Sequence, residues 1–202
     1  MIRNIVFDLG RVLLTYEPRK YLERLYDNPI RREYLMKGIF GSQSWKDLDQ
    51  GIIDEQEAYR RMSAAIPVLS EDVQYILDHW DDMLAPIEEN IRLMKKLKKQ
   101  NYGLYLISNF HRRAYDRVYH RYSFFGLFDG ILISSHVKLL KPDPAIFLKL
   151  LQDYSLLADT CLFIDDLPEN VSGAQSVGMA GLVFQSPQQL ERELCTMGIL
   201  ES

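Results

Sequence analysis

The stretch Ile5-Val6-Phe7-Asp8-Leu9-Gly10 is an apolar run that ends in a single carboxylate, with a glycine two residues later. This pattern predicts a buried strand that delivers Asp8 to the carboxyl edge of a sheet. Ligand sites of open α/β sheets lie at that edge. The stretch therefore predicts both a fold class and the place of the functional site.

Three later apolar runs also end in polar groups. They lead, in chain order, to Ser108-Asn109, to a loop that reaches Lys141, and to Asp165-Asp166. The sequence thus predicts a hydroxyl, an ammonium and a carboxylate pair at or just past strand ends, beside Asp8. Magnesium takes oxygen ligands, so these groups can form a magnesium site surrounded by phosphate-binding donors.

Composition narrows the class of protein. The chain has 202 residues, of which 47% are hydrophobic, enough for one core and a modest insertion. Its net charge of −4 gives no basic surface for nucleic acid, and no apolar run approaches the ~20 residues that span a bilayer. Cys161 and Cys195 are isolated and lack metal-ligand spacing, as in a reducing compartment. We expect a cytoplasmic monomer or homodimer that binds neither nucleic acid nor membrane.

Hydrophobic periodicity divides the chain into two kinds of segment. Residues from about 16 to 85 show helical patterns only, whereas helix and strand patterns alternate from residue 87 onward. Alternation of this kind predicts an α/β fold, a Rossmann-like parallel sheet with helices on both faces. The sequence therefore predicts a core formed by residues 1–15 and 86–202, and a helical insertion, residues 16–85, that forms a cap over the edge where Asp8 lies.

Local signals predict where the helices of the insertion begin. Asp54 begins a capping box with Glu57, and Ser70 stands at a cap position before the next helix. The predicted helices of the insertion are 19–26, 31–39, 55–65 and 71–83. Their apolar spacing indicates a small packed bundle.

Four motifs in the same order resemble those of the haloacid dehalogenase-like hydrolase superfamily, and the match covers the whole chain. They are Phe7-Asp8-Leu9-Gly10, Ile107-Ser108-Asn109, Leu140-Lys141-Pro142-Asp143-Pro144, and Phe163-Ile164-Asp165-Asp166 with Asn170 after it. The helical insertion resembles the C1-type cap of that superfamily. The Asp-Leu-Gly variant is similar to a branch of sugar-phosphate phosphatases of the bacterial α-D-glucose-1-phosphate phosphatase kind.

The resemblance implies a nucleophile and a metal site. Asp8 would attack phosphorus and form an aspartyl-phosphate. Mg²⁺ would be held by Asp8, Asp166 and the backbone carbonyl of Gly10, with Asp165 acting through a water or from behind these ligands. Asn170 would anchor the acidic loop by side-chain hydrogen bonds, although a helix-surface position is equally open.

The resemblance also implies a set of groups that bind the substrate. Ser108 would hydrogen-bond a phosphate oxygen, helped by the amide of Asn109. Lys141 would pair with both the nucleophile and the phosphate as a compact charge. Asp8, Ser108 and Lys141 are thus the predicted catalytic set. Arg11 would add positive charge near the phosphate, or else face solvent.

Gly10 departs from the family pattern, because most phosphatases of the family carry a second aspartate at this position. That group protonates the leaving group, a role worth roughly 10²–10⁴-fold in rate. Three routes remain open: a slow enzyme, a leaving group that needs little protonation, or an acid supplied from elsewhere. His111 is a candidate donor, and an exposed loop histidine is the alternative interpretation.

The leading hypothesis is a Mg²⁺-dependent phosphatase acting on a small phosphorylated metabolite, with sugar phosphates among the candidates. A 2-haloacid dehalogenase uses a similar aspartate without metal, and the Asp165-Asp166 pair argues against it. A non-catalytic phosphate-binding or partner-binding protein is the third hypothesis, and Gly10 is the feature that favours it.

Overall fold

The structure is a computed structural model, and it describes residues 1–200. Within those residues, five parallel strands form one sheet in the order β3-β2-β1-β4-β5. The strands are β1 (Asn4–Phe7), β2 (Gly103–Ser108), β3 (Gly130–Ile133), β4 (Cys161–Asp165) and β5 (Ala180–Val183). The predicted α/β class with a Rossmann-like parallel sheet is confirmed.

The central strand β1 is buried on both faces. Ile5 and Phe7 belong to one apolar cluster and Val6 to another, because successive side chains of a strand point to opposite faces. Strand order reverses at β1, which pairs with β2 on one side and β4 on the other. A crevice forms beyond the carboxyl ends of the strands at such a reversal. The residue that follows β1 at this point is Asp8.

Helices cover both faces of the sheet and fill the insertion. They are α1 (Pro18–Leu25), α2 (Pro29–Leu35), α3 (Gln43–Gln50), α4 (Glu55–Ala65), α5 (Ser70–His79), α6 (Glu88–Lys99), α7 (Arg112–Arg121), α8 (Ser134–Val137), α9 (Pro144–Asp153), α10 (Pro168–Ser176) and α11 (Pro187–Thr196). None of the helices within residues 1–200 combines the length and the apolar character needed to cross a membrane.

The helices α1 to α5 lie between β1 and β2 in the chain. The two linkers that lead into and out of this segment run side by side. The amide of Thr15 donates to the Ala85 carbonyl at 2.8 Å, and the amide of Ile87 donates to the Leu13 carbonyl at 2.8 Å. This pairing supports the predicted boundaries at residues 15 and 86, while the division into two domains stays a prediction.

Two predicted helices of the insertion differ from the structure at their ends. Helix 31–39 continues past α2 as a π-helical turn, Met36–Phe40. Helix 71–83 ends at His79 and continues as a 3₁₀ turn, Trp80–Met83. The prediction of Ser70 as a cap was wrong, because Ser70 is the first helical residue and its side chain caps no amide.

One helix of the insertion, α3, was missed from the sequence. Ser42 begins it by accepting from the Trp45 amide, and Gly51 ends it with φ of 72°, a left-handed conformation suited to glycine. Gly51 also packs against α8, where an added Cβ would lie 2.3 Å from the Ser135 carbonyl oxygen. The Gln50 side chain donates to the Lys138 carbonyl at 3.1 Å, so the end of α3 is fixed to the core.

Candidate active site

The ammonium of Lys141 links two carboxylates at the carboxyl edge of the sheet. Its Nζ lies 2.5 Å from Asp8 Oδ1 and 2.6 Å from Asp165 Oδ2, and all three residues are buried. Asp8 follows β1, and its amide donates to the Ile164 carbonyl of β4 at 2.9 Å. The fold therefore brings together residues that are 24 and 133 positions apart in the chain.

Burial and the neighbouring charges shift the pKa values of Asp8 and Lys141 in opposite directions. Burial raises the pKa of Asp8 to about 7, although the Lys141 ammonium lowers it. Burial alone would lower the pKa of Lys141, but the carboxylates of Asp8 and Asp165 raise it above its usual value. The lysine is therefore held as an ammonium between the two acids.

The neighbouring aspartates Asp165 and Asp166 have different surroundings. Asp165 is fully buried, and its oxygens accept from the Leu167 amide at 2.9 Å and twice from the Asn170 side chain at 3.0 Å, besides Lys141. Asp166 is only partly buried, and its contact with the Arg11 guanidinium is 3.4 Å long. Asp165 is thus occupied by protein donors, whereas Asp166 retains free coordinating capacity.

The carboxylates of Asp8, Asp165 and Asp166 fit a divalent cation. One oxygen of each can be chosen so that the three lie within 4.8 Å of one another. Burial, and then the charge of Asp165, raise the pKa of Asp166 more than the nearby Arg11 and Lys141 lower it. A hard cation that prefers oxygen ligands, such as Mg²⁺, matches this donor set.

The Asn109 side chain holds the Lys141 backbone. Its Nδ2 donates to the Lys141 carbonyl at 3.1 Å, and its Oδ1 accepts from the Lys141 amide at 2.9 Å. The sequence indicated only the Asn109 amide as a phosphate donor and missed this pair of bonds. Ser108, at the end of β2, is buried, and no residue in the described part of the chain hydrogen-bonds its hydroxyl. That hydroxyl is available to a phosphate oxygen.

The turn after β1 carries Gly10 and Arg11. Arg11 has φ of 61°, a left-handed conformation that is uncommon for a residue other than glycine. Its Nε donates to the Tyr16 carbonyl at 3.2 Å. A Cβ added at Gly10 would meet only Tyr16 Cβ, at 3.9 Å, so the structure leaves space beside Gly10.

These groups line one side of a cavity of about 260 Å³. The core wall comprises its polar residues from the sheet side: Asp8, Ser108, Asn109, Lys141, Asp166 and Asn170. The insertion wall comprises the residues that face it from the insertion and its linkers: Tyr16, Trp45, Asp49, Trp80 and Leu84. The insertion wall is aromatic and apolar except for one carboxylate, that of Asp49.

His111 does not take the position that the sequence left open for it. It is 2% exposed and does not line the cavity, so the alternative of an exposed loop histidine was wrong. Its ring packs 4.3 Å from Trp45 and 5.2 Å from Trp80, centroid to centroid. Burial lowers the pKa of His111 to about 3, against a hydrogen bond to the Trp45 backbone. A histidine that is neutral at ordinary pH cannot serve there as a cationic acid.

Asp49 is the cavity residue that sequence reasoning missed. It lies on α3, one helical turn after Trp45, and the Ser134 hydroxyl donates to its backbone carbonyl. Ser42 and Gly51 are standard signals for the start and end of a helix and could have revealed α3. They could not have revealed that α3 faces Asp8, since that depends on contacts between distant segments.

The chain is similar in sequence to known proteins. The chain is 29% identical to a drimenol cyclase of Aspergillus calidoustus, covering 96% of this chain but 36% of the cyclase. It is 27% identical to a sesquiterpene phosphatase of Aspergillus oryzae, covering 88% of this chain and 87% of the phosphatase. The chain thus spans about a third of the length of the first relative and most of the second.

A solved structure has the same fold. It is a HAD family enzyme from Bacteroides thetaiotaomicron in complex with magnesium and inorganic phosphate, with a TM-score of 0.70, 22% identity, and coverage of 92% of this chain and 95% of that one. In addition, residues 2–178 match the family described as haloacid dehalogenase-like hydrolase. On this match, the chain belongs to the haloacid dehalogenase-like hydrolases.

Proposed function

We propose that this protein is a Mg²⁺-dependent phosphatase that hydrolyses a small phosphomonoester through an aspartyl-phosphate on Asp8. The observation that carries the proposal is the buried Lys141 ammonium between Asp8 and Asp165, with Asp166 next to them and an accessible cavity in front. A buried nucleophile, a fixed cation and a cluster of oxygen ligands are the parts that phosphoryl transfer requires.

Each residue of the site has a separate role in this reaction. Asp8 forms a bond to phosphorus as the bond to the leaving oxygen breaks, and water later cleaves the aspartyl-phosphate to release phosphate. Lys141 pairs with the phosphate and favours the ionised form of Asp8, and the Ser108 hydroxyl and Asn109 amide bind phosphate oxygens. Asp8, Asp166 and the Gly10 carbonyl would hold Mg²⁺, and Asp165 would orient the loop that carries Asp166. When bound, Mg²⁺ supplies the charge that lets two anions approach.

The same groups weigh against the other two hypotheses. A metal-free dehalogenase has no use for Asp166, a third carboxylate clustered with Asp8 and Asp165. A non-catalytic protein is favoured only by Gly10, whereas Asp8 and Lys141 are in place. The sesquiterpene phosphatase and the magnesium and phosphate complex among the similar proteins support phosphatase chemistry. A cytoplasmic location belongs to this proposal and is supported by the isolated positions of Cys161 and Cys195 in the sequence.

Two substrate classes follow from different observations. The Asp-Leu-Gly motif favours a sugar phosphate. The insertion wall favours a phosphoester with an apolar or aromatic organic group, because Trp45 and Trp80 offer sugar hydroxyls one indole N–H each and Leu84 offers no hydrogen bond. The similarity to a sesquiterpene phosphatase supports this second class.

Phosphate release with and without Mg²⁺ tests the proposal. The panel contains glucose 1-phosphate, benzyl phosphate, 4-nitrophenyl phosphate and 2-chloropropionate. We expect phosphate release that excess EDTA abolishes and that added Mg²⁺ restores, and no chloride release. Full activity in EDTA, or chloride as the only product, would contradict the proposal. The ratio of kcat/KM for benzyl phosphate to that for glucose 1-phosphate separates the two substrate classes.

A further inference from the structure

We infer that Asp49 of the helical insertion is the general acid and base of this enzyme, in place of the acidic side chain that Gly10 lacks. The inference rests on the proposed phosphatase function. Its basis is geometric: the Asp49 carboxyl is the one acid that the insertion wall presents to the cavity that also holds Asp8. No group of the core wall other than the nucleophile and the metal-binding aspartates carries a transferable carboxyl proton.

The position of Asp49 is fixed by contacts of the C-terminal end of its helix with the core. Its own carbonyl accepts from the Ser134 hydroxyl of the core, and the next residue, Gln50, bonds the Lys138 carbonyl at 3.1 Å. Ser134 also accepts from the Phe110 amide at 2.9 Å, which ties the α3 end to the loop after β2. Asp49 is therefore held against the part of the core that carries Ser108. An acid that acts on a leaving group needs such a fixed position.

The surroundings of Asp49 favour a carboxyl that holds a proton. Its side chain is 19% exposed, and the titratable groups that face it are His111, Lys141 and Tyr16. Burial raises the pKa of Asp49 to about 8, with the Lys141 ammonium opposing the change. His111 Nε2 lies 3.2 Å from Asp49 Oδ1 without forming a hydrogen bond, and it has no other partner among residues 1–200. A neutral imidazole in that place adds no charge that would deprotonate the acid.

The space beside Gly10 explains why an acid from the insertion can act there. An aspartate at position 10 would enter the cavity from the core side. With glycine instead, the nearest atom to an added Cβ is Tyr16 Cβ at 3.9 Å, so the leaving group is not screened from the insertion wall. Gly10 does not have a positive φ, and the backbone accepts a side chain at this position.

The proposed step conserves protons. As the Asp8 oxygen bonds to phosphorus and the phosphorus–oxygen bond to the leaving group breaks, the Asp49 carboxyl gives its proton to the departing oxygen. The Asp49 carboxylate then takes a proton from the water that attacks the aspartyl-phosphate. The bond between phosphorus and Asp8 breaks, phosphate leaves, and Asp49 is protonated again for the next cycle.

A leaving-group series tests this assignment. Phosphate release is measured for 2,4-dinitrophenyl, 4-nitrophenyl, phenyl and benzyl phosphate with wild-type protein, Asp49→Asn and Asp47→Asn. Asp47 lies on the same helix but bonds Arg61 and Gln43 away from the cavity, so Asp47→Asn is the matched control. Since a general acid matters most for poor leaving groups, Asp49→Asn should lose roughly 10²–10⁴-fold on benzyl phosphate and little on dinitrophenyl phosphate. Asp47→Asn should keep the wild-type dependence.

Two further measurements keep the test decisive if Asp49→Asn folds poorly. In the wild-type protein, kcat/KM for benzyl phosphate should fall as pH rises through about 8, while that for dinitrophenyl phosphate should not. The double variant Gly10→Asp with Asp49→Asn should regain turnover of benzyl phosphate, because an acid is returned from the core side. Circular dichroism and the Mg²⁺ affinity establish that each variant is folded and binds metal.

The outcomes separate this inference from the proposed function. If the wild-type protein releases phosphate and Asp49→Asn shows the same loss on every substrate or no loss, the Asp49 assignment is overturned and the phosphatase proposal stands. If the wild-type protein releases no phosphate from any aryl phosphate with Mg²⁺, the proposed function fails and the inference fails with it. A selective loss on poor leaving groups, rescued by Gly10→Asp, supports the assignment.

Discussion

The two walls of the cavity are built by different means. The core wall is polar and carries charged groups, among them Lys141, which joins Asp8 at 2.5 Å and the buried Asp165 behind the wall at 2.6 Å. The insertion wall consists of packed rings: Trp45 and Trp80 lie 5.1 Å apart, and both contact His111. Electrostatic interactions between buried charges are strong and depend on every partner, whereas apolar contacts are individually weak and additive.

The difference indicates that the core wall carries out the chemical step, whereas the insertion wall determines which substrates bind. In the core wall, removal of one charge leaves another buried without a partner, so we expect large effects that are the same for every substrate. In the insertion wall, replacement of a ring changes which organic group fits, so we expect graded effects that differ among substrates. Asp49 is the exception, because it is a titratable group placed in the apolar wall.

The largest effect expected is the loss of the nucleophile in Asp8→Asn. The amide has nearly the same shape but cannot attack phosphorus, so phosphate release should fall by roughly 10³-fold or more on all substrates. Phosphate release in saturating Mg²⁺ is the measurement, with Asp47→Asn as a control for loss of a carboxylate elsewhere. Turnover near the wild-type rate in purified Asp8→Asn would refute the assignment of the nucleophile.

Removal of the lysine should destabilise the core wall. Lys141→Met leaves Asp8 and Asp165 buried without their counter-charge, and we expect a loss of about 3–5 kcal/mol in the free energy of unfolding. Urea unfolding in EDTA measures this loss, and added Mg²⁺ should restore part of it by supplying charge to the same carboxylates. Lys149→Met is the control, since Lys149 forms an exposed pair with Asp153 worth at most about 1 kcal/mol. Equal losses in the two variants would contradict the prediction.

The core wall was predictable from sequence because its parts have local signals. Apolar runs give the strands, polar residues mark their ends, and parallel strands bring these ends to one edge. Asp8, Ser108, Lys141 and Asp165 are therefore found in the predicted place. The Asn109 bonds to Lys141 were not predicted, because they join a strand end to a loop 32 residues later.

The insertion wall was harder to predict. Its helices have clear periodicity, and α4 spans the predicted residues, with Asp54 accepting from the Glu57 amide at 2.8 Å. Which face of a helix meets the core is decided by contacts such as Ser134 to Asp49, which no local pattern encodes. For the same reason, the sequence did not predict that His111 is buried between two tryptophans.

The pH dependence of stability tests whether Asp49 is a proton-holding group in the apolar wall. Its pKa is about 8 in the folded protein and near 3.8 when exposed, so the folded state holds the proton more tightly. Wild-type stability therefore decreases as pH rises from about 4 to about 8, and this contribution is absent in Asp49→Asn. The variant should gain on the order of 1–3 kcal/mol relative to wild type between about pH 5 and about pH 8.

Urea unfolding of both proteins across this range, in EDTA, gives that difference. Because other titrating groups are common to the two proteins, their contributions cancel in the comparison. A difference that stays constant with pH, or that shrinks as pH rises, would show that Asp49 is ionised in the folded protein. Asp49 would then titrate like an ordinary exposed carboxyl group, and it would hold no proton at neutral pH.

The smallest effect concerns Arg11, which lies where the two walls meet. Its guanidinium contacts Asp166 of the core wall at 3.4 Å and lies 5.8 Å from the ring centroid of Tyr16 in the insertion wall. Arg11→Ala and Arg11→Gly both remove this exposed charge, so KM should rise at most about fivefold, equally in both variants. With φ of 61°, the position suits glycine, and Arg11→Gly should be more stable than Arg11→Ala by roughly 0.5–1 kcal/mol.

An increase in KM that is the same for benzyl and sugar phosphates assigns Arg11 to the core wall, because phosphate is common to both. An increase confined to one organic group assigns it to the insertion wall, through Tyr16.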